Sequence, residues 1–233
     1  DSSLILYYMQ KNSTKKINTY TLGFKGAKKH DETSDAKIVS DAFCTNHKEI
    51  IIDPKVAELL PKMVNHFGEP FASPTGMLIY ELTKEAKKIS TVALAGDGGD
   101  EIFGGYPKYK AVMVAHNLRI VPRFIWRVMA NIVKNIPESE KGGNVVRRVK
   151  KFIFSLGKTP AQMYDNWSSY ISDSDMRCLF KEEVLYEKNV EKLWIKQKSG
   201  NGLIKSSIVD LKTYLPNDML YYGDVMSMAN SFE

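Results

Sequence analysis

The stretch STVALAGDGGDEIFGGY, residues Ser90–Tyr106, decides the reading of the fold. Its first six residues are small and apolar, the composition of a strand covered on both faces in a parallel sheet. A glycine-rich turn from Gly96 to Gly99 follows. Asp100 and Glu101 then stand where a helix would begin, and where negative charge is favoured. In an open parallel sheet, ligands bind beyond the carboxyl ends of the strands. This turn is therefore the first candidate for chemistry.

Working outward towards the N-terminus, strand and helix signals alternate. Residues 2–11 open with serines suited to cap a helix and then turn apolar. Residues 17–24 (INTYTLGF) and 48–52 (KEIII, ended by Asp53-Pro54) are rich in β-branched and aromatic side chains and predict strands. Residues 33–44, 55–67 and 76–88 place apolar residues at helical spacing. Short apolar strands separated by helices of this length predict an open parallel α/β sheet with right-handed crossovers. Beyond Tyr106 the strand signal ends. Residues 107–116, 121–135, 144–156, 160–170, 181–198 and 205–222 read as helices, with Gly142-Gly143 and Ser199-Gly200-Asn201-Gly202 as loops, the second with the composition of a mobile one. The expected organisation is an α/β part over 1–106 and a mostly helical part over 107–233.

The 233 residues carry a net charge of +6, which could signal nucleic acid, so its location matters. Lys and Arg outnumber Asp and Glu by 11 to 2 in residues 107–156, whereas the balance is 13 to 14 before and 9 to 11 after. The excess belongs to one segment, read as a solvated or partner-facing helical surface. No RNA- or DNA-recognition motif accompanies it. No apolar run approaches the roughly 20 residues that span a bilayer, and no signal peptide is visible. Cys44 and Cys178 lack disulfide or zinc spacing, and His30, His47, His66 and His116 are scattered, so the default setting is a reducing cytoplasm.

The turn after the 90–95 run combines two unlike properties. Its glycines let backbone N–H groups approach a ligand as phosphate cradles do. Asp97, Asp100 and Glu101 supply three carboxylates within five positions. Carboxylates repel phosphate unless a cation lies between them, so the mixture points to a magnesium-bridged phosphate site. A glycine-rich turn that merely caps the next helix fits the same residues. The chain has neither G-x-x-x-x-G-K-[ST] nor G-x-G-x-x-G. Asp1-Ser2-Ser3 is by itself an ordinary helix cap, although its carboxylate and hydroxyls also suit phosphate and metal.

Read in order, these pieces resemble the asparagine synthetase family, a branch of the ATP-pyrophosphatase (PP-loop) ligases. Asp1-Ser2-Ser3 is similar to the end of the family's S-G-G-x-D-S-S signature. Thr21-Leu22-Gly23-Phe24, Asp31-Glu32 and the segment Glu69 to Pro74 match its next elements. Ala95 to Tyr106 resembles S-G-[ED]-G-x-D-E-x-F-G-G-Y. Leu215 to Leu220 and Asp224 to Glu233 resemble L-P-x-D-x-L and D-R-M-S-M-A-x-S-x-E. The region between Tyr106 and Leu215 is largely unmatched.

The resemblance implies a PP-loop adenylation domain followed by a helical portion, and a reaction. ATP and a carboxylate, aspartate in typical members, form an acyl-adenylate and pyrophosphate; ammonia from a separate glutaminase domain then gives the amide and AMP. It implies that Asp1 and Asp100 hold Mg2+, that Ser2 contacts pyrophosphate, and that Leu22 and Gly23 meet adenine and ribose. Ala95 and Gly96 would touch AMP, Asp97 would face the acyl site, and Glu101 belongs to the same catalytic motif. Three residues depart from the pattern: Ala95 for Ser, Ser73 for Asp and Val225 for Arg. By the same resemblance the chain is an excerpt, lacking the start of the PP-loop and the family's catalytic lysine beyond Glu233, and is expected to be inactive alone. A synthetase acting on another acid, a β-lactam-synthetase-like enzyme and a non-catalytic nucleotide-binding module are the alternatives. A homodimer is compatible with the sequence.

Overall fold

The computed structural model describes residues 1–24, 32–52, 58–71, 73–137, 145–171, 173–180, 189–198 and 200–233. Two strands, β1 (Asn18–Phe24) and β2 (Asn46–Ile52), pair in parallel with Asn18 opposite Asn46 and Phe24 opposite Ile52. They are flanked in sequence by α1 (Ser2–Lys11), α2 (Thr33–Ala42), α3 (Leu60–Phe67) and α4 (Thr75–Ala86). A short α5 (Gly99–Phe103) follows the glycine turn. Then come α6 (Pro107–Asn117), α7 (Arg123–Lys134), α8 (Val145–Ser155), α9 (Pro160–Ser168), α10 (Asp173–Leu179), α11 (Asn189–Lys196) and α12 (Gly202–Lys212). A π-helical turn over Leu215–Met219 leads into α13 (Leu220–Met228). The expected α/β start and helical second half are both present. Asp31, Asp53-Pro54, Ala72, Gly142-Gly143, Ser199, His30 and much of the expected 181–198 helix lie outside the described residues.

The chain divides into two compact units, Asp1–Gly99 with Tyr214–Glu233, and Asp100–Thr213. In the first, Met63, Tyr80 and Met226 form a buried core against which Phe67, Phe71 and Val225 pack. The closing residues fasten this unit. The Asn230 side-chain amide donates to the Tyr80 carbonyl at 2.8 Å and to Thr83 Oγ1 at 2.9 Å, and Phe232 is buried.

One expectation needs correction. Residues 90–95, expected as a strand, form none: they have no ladder. Their backbone partner is the C-terminal residue, with Ala93 N–H donating to the Glu233 carbonyl at 2.7 Å and Glu233 N–H to the Thr91 carbonyl at 3.0 Å. A strand needs a neighbouring strand to pair with, and among the described residues β1 and β2 pair only with each other. Nor is this segment covered on both faces, since Val92 is 55% and Leu94 63% exposed.

In the second unit, Tyr109, Val112, Ala161, Tyr164, Trp194 and Val209 form one core cluster, and Ala115, Leu156 and Met163 another. Thr159 caps α9 through a reciprocal pair with Gln162: the Gln162 N–H donates to Thr159 Oγ1, and the Thr159 N–H donates to Gln162 Oε1. The basic segment contributes α7, which has no buried residue and exposes Phe124, Val128 and Ile132 on one ridge. The surface there is more apolar than a merely solvated charged face.

Candidate functional site

In the first unit, the turn Gly96–Gly99 is closed by the Gly99 N–H donating to the Gly96 carbonyl at 3.2 Å. Gly98 takes φ +87°, a left-handed conformation that disfavours any side chain. A Cβ on Gly96 would lie 2.7 Å from the Ser2 backbone nitrogen, and one on Gly99 would overlap the Asp1 carboxylate. The glycines therefore bring the loop backbone directly against the start of α1. Two widely separated motif pieces, Asp1-Ser2 and Gly96–Gly99, are thus brought together, and neither site tolerates added bulk at the contact.

A third motif joins them. A Cβ on Gly98 would meet the Leu215 side chain at 3.3 Å, so the L-P-x-D-x-L segment borders the same loop. Asp218 of that segment carries a carboxyl raised above its ordinary range by burial, with a hydrogen bond from Ser73 opposing the rise. Ser73 itself is buried. Asp97 is open to solvent by surface area, yet neighbouring atoms desolvate its carboxyl enough to raise its pKa. Ala95 is exposed and directly precedes the turn. Leu22 and Gly23 lie in β1 opposite Ile50 and Ile51. Sequence reasoning left out Asp218 and Leu215 as site residues; their signal was the L-P-x-D-x-L motif itself.

Val225 is a different matter. It packs on the Met63–Tyr80–Met226 core, and its carbonyl lies 3.1 Å from His66 Nε2. A branched apolar residue suits that surrounding better than a guanidinium would.

Asp100 and Glu101 belong to the second unit. The Gly105 N–H donates to the Asp100 carbonyl at 3.0 Å, and a Cβ on Gly105 would overlap the Asp100 carboxylate. Glu101 is 1% exposed. Its carboxylate accepts from the Tyr106 hydroxyl at 3.0 Å, and its carbonyl accepts from the Ser207 hydroxyl at 2.6 Å. This bonding marks Glu101 as a group that holds α5 in place, whereas Asp100 is exposed.

Next to it lies a network that the sequence did not reveal. Lys108 Nζ and the Tyr109 hydroxyl both approach Asp210 Oδ2 at 2.7 Å. Lys108 also sits 5.2 Å from the ring centres of Tyr106 and Tyr164, within cation–π range. Burial and the neighbouring carboxylate push the Tyr109 phenol far up, so it stays a donor.

Among the described residues, no group of three or more His, Cys, Asp and Glu side chains is placed to hold a metal. The donors the motifs supply are single carboxylates. That set fits a Mg2+ ion arriving on phosphate, which takes one or two protein carboxylates and completes its shell with phosphate oxygens and water. The glycine loop against the α1 N-terminus fits the phosphate side of such a ligand.

Comparison with known proteins gives a consistent answer. The family model described as Asparagine synthase matches residues 1–233. Asparagine synthetase [glutamine-hydrolyzing] 1 of Bacillus subtilis is 29% identical over 238 residues, covering 100% of this chain and 36% of that protein. A putative asparagine synthetase 2 of Methanocaldococcus jannaschii is 36% identical over 127 residues, 54% of this chain and 24% of its own length. A putative asparagine synthetase of Mycobacterium bovis is 26% identical over 94% of this chain and 33% of its own length. The chain thus spans about a third or less of the relatives it matches. No solved structure matches.

Proposed function

Because this chain belongs to the asparagine synthase family, we propose that it serves an ATP-dependent, amide-forming ligase. The observation that carries this reading is the seating of Gly96–Gly99 directly on Asp1 and Ser2, which gives a loop backbone and a helix N-terminus converging on one small region. In the proposed reaction, a carboxylate oxygen of the acid attacks the α-phosphorus of ATP. A P–O bond forms to the acid, and the bond to pyrophosphate breaks. Ammonia then attacks the acyl carbon, and AMP leaves with the oxygen that came from the acid. Aspartate is the proposed acid and glutamine the proposed source of ammonia, after the names of the related synthetases.

The residues take roles by motif position. The backbone at Ser2 and Gly96 holds phosphate, with Ala95 beside AMP. Leu22 and Gly23 meet the nucleoside through their backbone. By motif position alone, Asp1 and Asp100 are the residues that would hold Mg2+, whose chemistry would be to neutralise phosphate charge. Asp97 faces the acyl group, and its raised pKa suits a carboxyl placed beside another carboxylate. Glu101 is reassigned to positioning, since both of its oxygen groups are engaged within its own unit. Adenylation depends mainly on alignment and on stabilising charge at phosphorus.

The test is an isotope experiment on the intact protein with ATP, Mg2+, ammonia and acid labelled in its carboxyl oxygens. Label appearing in AMP is expected. Label confined to inorganic phosphate would contradict attack at the α-phosphorus.

A further inference from the structure

Gly200–Gly202, part of the glycine-rich loop marked by the sequence, border a cavity of about 250 Å³ within the second unit. Its apolar lining includes Val112 of α6, Met163 and Trp167 of α9, and Trp194 of α11. Its polar lining is His116, Asn201 and Lys205, with no carboxylate. Among the described residues Lys205 makes no ion pair. The Asn201 side-chain oxygen accepts the Ile204 N–H at 3.0 Å, which leaves its amide nitrogen as a donor.

The rim is shaped by glycine. Gly200 takes φ +97°, and a Cβ on Gly202 would lie 2.5 Å from Val112 Cγ1. The loop therefore rests directly on α6, with Asn201 held between two positions that resist a side chain. Aromatic and aliphatic walls favour an apolar body. An ammonium without a carboxylate partner favours an anion. The volume falls below the roughly 300–1,000 Å³ of pockets for drug-sized ligands, so the ligand is small.

We propose that this cavity binds a small aryl or branched-alkyl carboxylate, with its apolar body against Trp167 and Trp194 and its charge at Lys205. It shares no residue with the motifs on which the adenylation reading rests, so either can fail without the other.

The test uses tryptophan fluorescence of the intact protein, because two of the three tryptophans line the cavity. Hydrocinnamate, isocaproate and the neutral amide of hydrocinnamate serve as probes. A saturable change is expected with the acids, with the amide weaker by roughly tenfold, the usual order for losing one charge-assisted bond. Lys205→Met should remove that preference and leave amide binding unchanged. Met113→Trp, at a partly exposed lining position, should block both. Circular dichroism verifies that each variant is folded. Equal affinity for acid and amide, a preference that survives Lys205→Met, or no saturable binding of any probe would overturn the proposal.

Discussion

At Gly96 a single hydrogen atom in place of a methyl group decides whether the loop can lie on Ser2. The backbone nitrogen it would strike cannot rotate away as a side chain can. Gly96→Ala should cost about 1–3 kcal/mol, the range for inserted bulk in a packed site, and should abolish ATP binding. Thermal unfolding and nucleotide titration of the variant check both parts. The requirement for glycine in this stretch was legible in the sequence, because only tight turns or close approaches explain five glycines in the ten residues from Gly96 to Gly105. Which glycine met which partner was not legible, since it depends on contacts between residues far apart in sequence.

Asp218 gives a second prediction at this scale. Its folded pKa is raised from 3.8 by burial, so the folded state holds the proton more tightly than the unfolded chain. The cost of ionising it is present above the folded pKa and is relieved as pH falls through that value towards 3.8. Asp218→Asn should therefore raise the unfolding midpoint at neutral pH and flatten the acid-side slope. A denaturation series across the acidic range measures this; a variant with the same slope as the parent would remove Asp218 as its source.

Among the elements, the two paired strands and most described helices lie close to the ranges that their periodicity predicts, because amphipathic spacing reports burial locally; α10, at Asp173–Leu179, was not expected. The 90–95 run misled for a physical reason. An apolar run gives the strand propensity, but ladder formation needs a partner strand, and the backbone here finds Glu233 instead. The network around Lys108 was illegible for a related reason. Lys108 and Asp210 are 102 positions apart (210 − 108) and meet only because α6 packs on α12. Lys108→Met would leave Asp210, whose side chain is 2% exposed, without its cation. The expected loss is about 3–5 kcal/mol, as for other buried pairs broken on one side. Adding Asp210→Asn should recover part of it, and chemical denaturation of the two variants gives the difference.

At the scale of the whole molecule, the sequence division at Tyr106 follows the type of secondary structure, whereas the compact units follow packing. Residues 214–233 return to the first unit, where Asn230 and Phe232 close it. That return gives the closing motif a structural part, since Asn230 bonds to α4 and Phe232 is buried. The family was readable from the Ala95–Tyr106 stretch and the motifs around it. The acid was not, because nothing in the turn, the carboxylates or the glycine contacts distinguishes one small carboxylic acid from another.

Adenylation of a carboxylic acid releases pyrophosphate, and that release can be measured on the intact protein. The assay combines ATP, Mg2+ and a panel of acids including aspartate, with and without glutamine or ammonia. Release is expected to require an acid, aspartate first among them, with an amide product when a nitrogen source is present. No acid-dependent release across the panel would contradict it.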